Sequence, residues 1–164
     1  MDETGIDGVT IDGLARQVGV SRSGFYWHFR NRNELLDSLL NYWAHELTEV
    51  VVNNPEVLAM DAKTRLRTAA EMILKHDLAR YDLAVRLWAR RNKDAARTVR
   101  KVNRFRMDFI RNALEELGFR GNELEMRTMQ FVCYHTWERT MYPEYSKKKL
   151  NDLIERRIDF LTRK

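Results

Sequence analysis

The residues whose types and spacing can do chemistry crowd into one stretch, Thr10 to Leu36: TIDGLARQVGVSRSGFYWHFRNRNELL. From Arg16 to Arg32 it holds four arginines and His28 with no acid, a cationic strip suited to a row of phosphates. Arg22 offers a planar fork of donors that matches two acceptors on a guanine edge, and Ser23 adds a hydroxyl beside it. Tyr26, Trp27 and His28 carry hydrogen-bonding tips on apolar bodies. Arg32 stands at the entry to a further helix, where its side chain and the free helix N–H groups can meet a phosphate together. This is chemistry of recognition, and no nucleophile elbow, phosphate loop or zincin motif accompanies it, so no enzyme is expected.

Those side chains need elements to hold them. Thr10 is placed to cap a short helix over Ile11–Val18, with Ile11, Leu14, Ala15 and Val18 on one face, and Gly19 is placed to stop it. Ser21 can cap a second helix running through Phe29. The connection Gly19-Val20-Ser21 gives helix-turn-helix spacing, in which the early residues of the second helix, Arg22, Ser23 and Gly24, reach base edges in a major groove. Phe25 and Phe29, four apart, anchor that helix inward. Gly24 is unfavourable in a helix, which a close approach of backbone to DNA would explain. A third helix starts near Asn33, turns Leu35, Leu36, Leu39, Leu40, Trp43 and Leu47 inward, and ends at Asn53-Asn54-Pro55.

The stretch resembles the DNA-binding head of the TetR family of bacterial transcriptional regulators. Thr10, Leu14, Ala15, Gly19, Val20, Ser21, Phe25, Tyr26, His28, Phe29 and Leu35 or Leu36 take the places of that family's pattern, and Arg32 stands where the pattern has lysine. The resemblance implies a ligand-responsive regulator, more often a repressor, that binds a palindromic double-stranded operator. It implies phosphate contacts from Thr10, Tyr26, His28 and Arg32, with Ser21 beside them, and groove-facing positions at Arg22, Ser23, Gly24 and Trp27. Arg22→Ala is then expected to relax sequence preference and Arg32→Ala to weaken all sites alike. The family places one more helix before the Gly5–Thr10 turn, and with the sequence starting at Met1 the head is expected to lack it. The alternative that follows is a dimeric small-molecule-binding protein whose shortened head does not bind DNA.

The resemblance also implies a homodimer joined through the last two helices and an effector pocket enclosed by the middle ones. Charged substitutions at Leu153 or Ile158 are expected to give monomers. Trp88, Phe105, Phe109, Tyr134 and Trp137, with Met107 and Met129, are the candidates for lining that pocket. Cys133 is read as core and His135 as a dimer contact. His135 and Glu138 supply half of a carboxylate–histidine metal set whose other half is missing, so neither metal nor cofactor is expected.

Composition bounds the rest. The chain has 164 residues, enough for a core without staples, and its two prolines and seven glycines, five of them in the first 24 residues, exclude a β-sandwich. The single cysteine, Cys133, excludes disulfide frameworks and thiolate zinc sites. No apolar run approaches membrane-spanning length, so a cytoplasmic location is expected. The net charge is +5, of which −4 lies in the first fifty residues and +9 in the remaining 114, so the global basic balance does not belong to the cationic strip. The expected architecture is all-α: a helix-turn-helix head with its connecting helix over residues 1–52, and an effector-binding and dimerisation bundle over 56–164. In the bundle the spacing predicts helices over 61–80, 83–91, 94–117, 122–142 and 148–162, the last two separated by Pro143.

Overall fold

The cap signals act where the sequence puts them. In the computed structural model, which describes residues 5, 6, 8–141 and 144–164, Thr10 Oγ1 accepts the Gly13 N–H at 3.1 Å and opens α1, Ile11–Val18. Gly19, at φ 74°, closes it in the left-handed conformation, with the Val20 N–H returning to the Ala15 carbonyl at 2.9 Å. Ser21 Oγ accepts from Gly24 N at 3.0 Å and opens α2, Arg22–His28. Asn31 caps α3, Arg32–Ala44, while Glu34 Oε2 reaches back to the Arg30 N–H at 2.6 Å. α3 continues through a π-helical turn, His45–Glu49, into a last helical turn, α4, Val50–Val52.

Pro55 ends that helix and also begins another. It is the first residue of α5, Pro55–Leu58, whose free N–H groups at Glu56 and Val57 are accepted by Asn54 Oδ1. Four longer helices and one short one follow: α6 Ala62–Lys75, α7 Asp82–Ala89, α8 Lys93–Glu116, α9 Gly121–Met141 and α10 Lys147–Thr162. The helix expected over 61–80 stops five residues early because Asp77 adopts φ 52° and the Leu78 N–H turns back to the Ile73 carbonyl, a left-handed cap made without glycine. The break expected at Pro143 lies outside the described residues.

Three apolar clusters hold these helices. Ile6, Val9, Ala15, Phe25, Leu35 and Leu36 form a small core under α1–α3, and Trp88 of α7 packs against it. Leu40 and Trp43 of α3 meet Val85, Val99 and Val102 in a second cluster that Trp88 also touches. The largest cluster joins α6, α8, α9 and α10, with Leu66, Leu114 and Ile158 fully enclosed. The described residues are all-helical, as the sequence predicts.

Between the first two clusters and the third sits a buried polar joint. Asp82 is completely enclosed; it accepts Trp43 Nε1–H at 2.7 Å and is clasped by the Arg106 guanidinium through both carboxylate oxygens. Arg106 Nη2 also donates to Thr48 Oγ1 at 2.9 Å, inside the π-helical turn of α3. One carboxylate thus ties α3, α7 and α8 together at the point where the head's last helix enters the bundle.

Candidate nucleic-acid interface and the cavity above it

α2 is held by its inner face and bare on its outer one. Phe25 is buried, and its ring lies 5.2 Å from that of Phe29. On the other face Trp27 is 87% exposed, and Arg22, Ser23, Tyr26 and His28 are exposed beside it. A tryptophan left in water with its flanking polar side chains marks a surface shaped for contact rather than for the core. Ser21 and Ser23 hydroxyls are 3.0 Å apart, and Gly24 sits where a Cβ would approach Ser21 Oγ to 3.2 Å. The glycine at this position therefore makes room for the cap as well as for whatever faces the helix.

Arg22 is not idle on this surface. Its Nε lies 3.2 Å from Asp12 Oδ1 across the turn, and the Tyr26 side chain, then Asp12, raise its already high pKa. Both partners are well exposed, so the pair orients the guanidinium without adding much stability. Of the candidate contact residues, Thr10 and Ser21 cap α1 and α2, and Arg22, Ser23, Gly24, Tyr26, Trp27 and His28 lie on α2.

Arg32 has a second occupation that spacing does not reveal. Its Nε donates to the Val9 carbonyl and its Nη2 to the Ile6 carbonyl, both at 2.8 Å, so the guanidinium clamps the amino-terminal turn onto α3. A lysine keeps the charge but cannot bridge two carbonyls in this way. Arg32→Lys is therefore expected to lose about 1–3 kcal/mol of local stability, seen as faster amide exchange in α1, and to weaken DNA binding nearly as much as Arg32→Ala. Near-normal exchange and binding in Arg32→Lys would reduce the residue to a phosphate contact.

Where α3 enters the bundle, a cavity of about 50 Å³ lies between its extension and α6, α8 and α9, bordered by Thr48, Val51, Arg106, Phe109, Phe131 and His135 among others. Of the five aromatic residues predicted to line a pocket, Phe109 borders this cavity. Trp88 packs at the joint with the head. Phe105 lies half-buried under Lys101, whose Nζ is 5.2 Å from the ring centre. Tyr134 stacks under the Arg157 guanidinium at 3.7 Å and borders a groove between α9 and α10, and Trp137, with Met107 and Met129, borders a separate pocket of about 160 Å³ shared by α7, α8 and α9. The helix turns Phe131 and His135, four apart, to the cavity, which leaves Tyr134 and Trp137 on other faces. His135 is buried and Cys133 exposed, the reverse of their expected places. Among the described residues no three His, Cys, Asp or Glu side chains gather as a metal set.

Comparison with known proteins agrees with the head and with the fold. Residues 1–39 match the family model described as bacterial regulatory proteins, tetR family. Over 39 residues the chain is 49% identical to the class A tetracycline repressor protein from transposon 1721 of Escherichia coli and 46% identical to the class D repressor of the same organism. That stretch is 24% of this chain and 18% of either repressor, so the chain matches under a fifth of the length of these relatives. The whole fold is similar to two solved structures from Rhodococcus. One, a TetR-family transcriptional regulator, has a TM-score of 0.67 and 19% identity, covering 98% of this chain and 92% of its own. The other, a TetR-like regulator of strain RHA1, has a TM-score of 0.70 and 16% identity, covering 99% and 90%. The first 39 residues thus match the TetR-family model of a DNA-binding head, and the all-helical fold of the whole chain is similar to those two TetR-type structures.

Proposed function

We propose that the protein is a ligand-responsive transcriptional regulator, acting as a repressor, whose homodimer grips a palindromic operator through two copies of α2. The observation that carries this reading is the bare outer face of α2, where Arg22, Trp27 and His28 stand exposed on a helix otherwise fixed by buried phenylalanines. Arg22 reads base edges, and Thr10, Ser21, Tyr26 and His28 position the helix on the backbone. Two heads on one duplex must sit roughly 34–36 Å apart, in successive major grooves. Selection from a random duplex library tests this: the expected result is a palindrome with half-sites one turn apart, and recovery of unenriched sequence would overturn it. The second reading, a dimeric small-molecule-binding protein whose head does not grip DNA, is favoured by the excess of acids in the first fifty residues and predicts that unenriched outcome.

The dimer seam is assigned to the exposed apolar side chains of α9 and α10. Met126, Met129, Trp137 and Met141 on α9 and Phe160 on α10 are each more than two-fifths exposed. Ile158 does not belong to this set, because it is fully enclosed in its own subunit's core, so a charge there unfolds the protein rather than dissociating it. Phe160→Asp, on the surface, is instead expected to give a folded monomer with at least about a hundredfold weaker operator binding, since the second half-site is lost. Sedimentation velocity checks it; an unchanged dimer would place the seam elsewhere.

Ligand response follows from the course of α3. The helix starts beside α2 and ends as a wall of the cavity, where Thr48 and Val51 face the interior. A molecule in the cavity presses on the same helix that sets the position of the head, and a small swing of each head removes the match to successive grooves.

A further inference from the structure

His135 is 4% exposed at the cavity wall, with its ring centre 4.5 Å from that of Phe131. Neither of its ring nitrogens has a hydrogen-bond partner. Nδ1 faces Glu138 Oε2 at 3.6 Å, beyond hydrogen-bond reach, and Arg157 approaches the other oxygen of the same carboxylate at 3.6 Å. Burial, reinforced by the charge of Arg157 and opposed by Glu138, pushes the imidazole pKa down to about 4, so the ring is neutral near neutral pH. Burial pushes Glu138 up, but His135 and Arg157 outweigh it and hold the carboxyl below its usual range.

A neutral imidazole has one N–H and one lone pair. The Glu138 carboxylate draws the N–H to Nδ1, which leaves the lone pair on Nε2. The other polar side chains at the wall are engaged: Arg106 by Asp82 and Thr48, and Thr136 Oγ1 by the Val132 carbonyl at 2.8 Å. Nε2 is therefore a buried acceptor without a donor, a state that is unfavourable until a donor arrives.

We infer that the cavity takes a small neutral aromatic alcohol of the phenol class, which donates its O–H to His135 Nε2 and lays its ring against Phe109 and Phe131. The inference rests on the cavity being the effector site. An anion is the wrong partner, because it brings a second lone pair to Nε2 and the cation at the wall, Arg106, is already neutralised by Asp82. A single ring needs roughly 150 Å³, more than the cavity of about 50 Å³ offers. Entry therefore displaces wall side chains, and Val51 on the extension of α3 is among them.

Titration of the full chain with phenol and with toluene, which replaces the hydroxyl by a methyl group, tests this by calorimetry. The phenol-to-toluene affinity ratio is expected to fall by about tenfold in His135→Leu and to hold in His135→Gln, whose carbonyl oxygen replaces the acceptor. In the wild-type protein, the Nε2 resonance of ¹⁵N-labelled His135 is expected to shift on adding phenol and to stay on adding toluene, a readout that needs no variant. An unchanged ratio in His135→Leu, an unmoved resonance, or tighter binding of benzoate than of phenol would each overturn the assignment. Binding of neither aromatic probe would overturn both it and the effector site. Selective phenol binding through His135 with no change in DNA affinity would uphold the assignment and remove only the cavity's regulatory role.

Discussion

Asp82→Ala is expected to lower the stability of the protein by about 3–5 kcal/mol, seen as a fall in the urea midpoint and a drop of about 10 °C in Tm. The size follows from what the carboxylate leaves behind. Arg106 loses both its ion-pair contacts while remaining mostly enclosed, Trp43 Nε1–H loses its acceptor, and Arg86, whose Nη2 is 4.0 Å from Asp82 and whose pKa burial already lowers, loses its nearest countercharge. Deleting one member of a buried pair is worse than deleting both. Asp82→Ala combined with Arg106→Met is accordingly expected to recover part of the loss, and the difference measures the coupling. A single variant within about 1 kcal/mol of wild type, the range of an exposed pair, would mean that the joint between α3, α7 and α8 is held by its apolar contacts alone.

The second large effect is a dependence of stability on pH that belongs to His135. Its pKa is pushed down to about 4 in the folded protein, against an ordinary value of 6.5. Below pH 6.5 the unfolded chain binds a proton that the folded chain refuses, so stability falls as the pH drops from 6.5 towards 4 and levels off beneath it. The contribution reaches about 3 kcal/mol at the lower end. Glu138, Arg157 and Tyr134 face the same ring or its neighbour, so the clean readout is a difference between variants. Urea unfolding from pH 7.5 to 4.5 is expected to show a shallower decline for His135→Leu than for wild type. Parallel curves would show that the ring does not stay neutral in the fold.

The head was legible because its signals are local. Thr10, Gly19 and Ser21 are cap residues, and caps act within four residues of where they stand, so α1 is read from the sequence with its observed bounds and α2 to within a residue. The long helices of the bundle were legible for a related reason, an apolar stripe running to a glycine, as in α8 before Gly118. What failed to show in the sequence depends on partners far along the chain. Arg32 is separated from Ile6 and Val9 by more than twenty residues, and Asp82 from Trp43 by nearly forty. Nothing in the spacing of either distinguishes a structural arginine from a phosphate contact, or a buried aspartate from a first-turn acid. α9 hides its inner face because apolar residues surround it, so the aromatic candidates Tyr134 and Trp137 carry no sign that they turn away from the cavity while His135 turns towards it. The end of α6 was missed because an aspartate does what glycine usually does.

The measurement that bears most directly on the protein as a sequence-specific regulator is a fluorescence-anisotropy titration at physiological salt. The chain is titrated against duplex from its own upstream intergenic region and against a scrambled duplex of the same composition. The account predicts a preference of about a thousandfold or more for the native duplex, carried by Arg22, Trp27 and the residues around them. Weak and equal binding to both duplexes would contradict it and leave a TetR-like fold whose head does not read DNA.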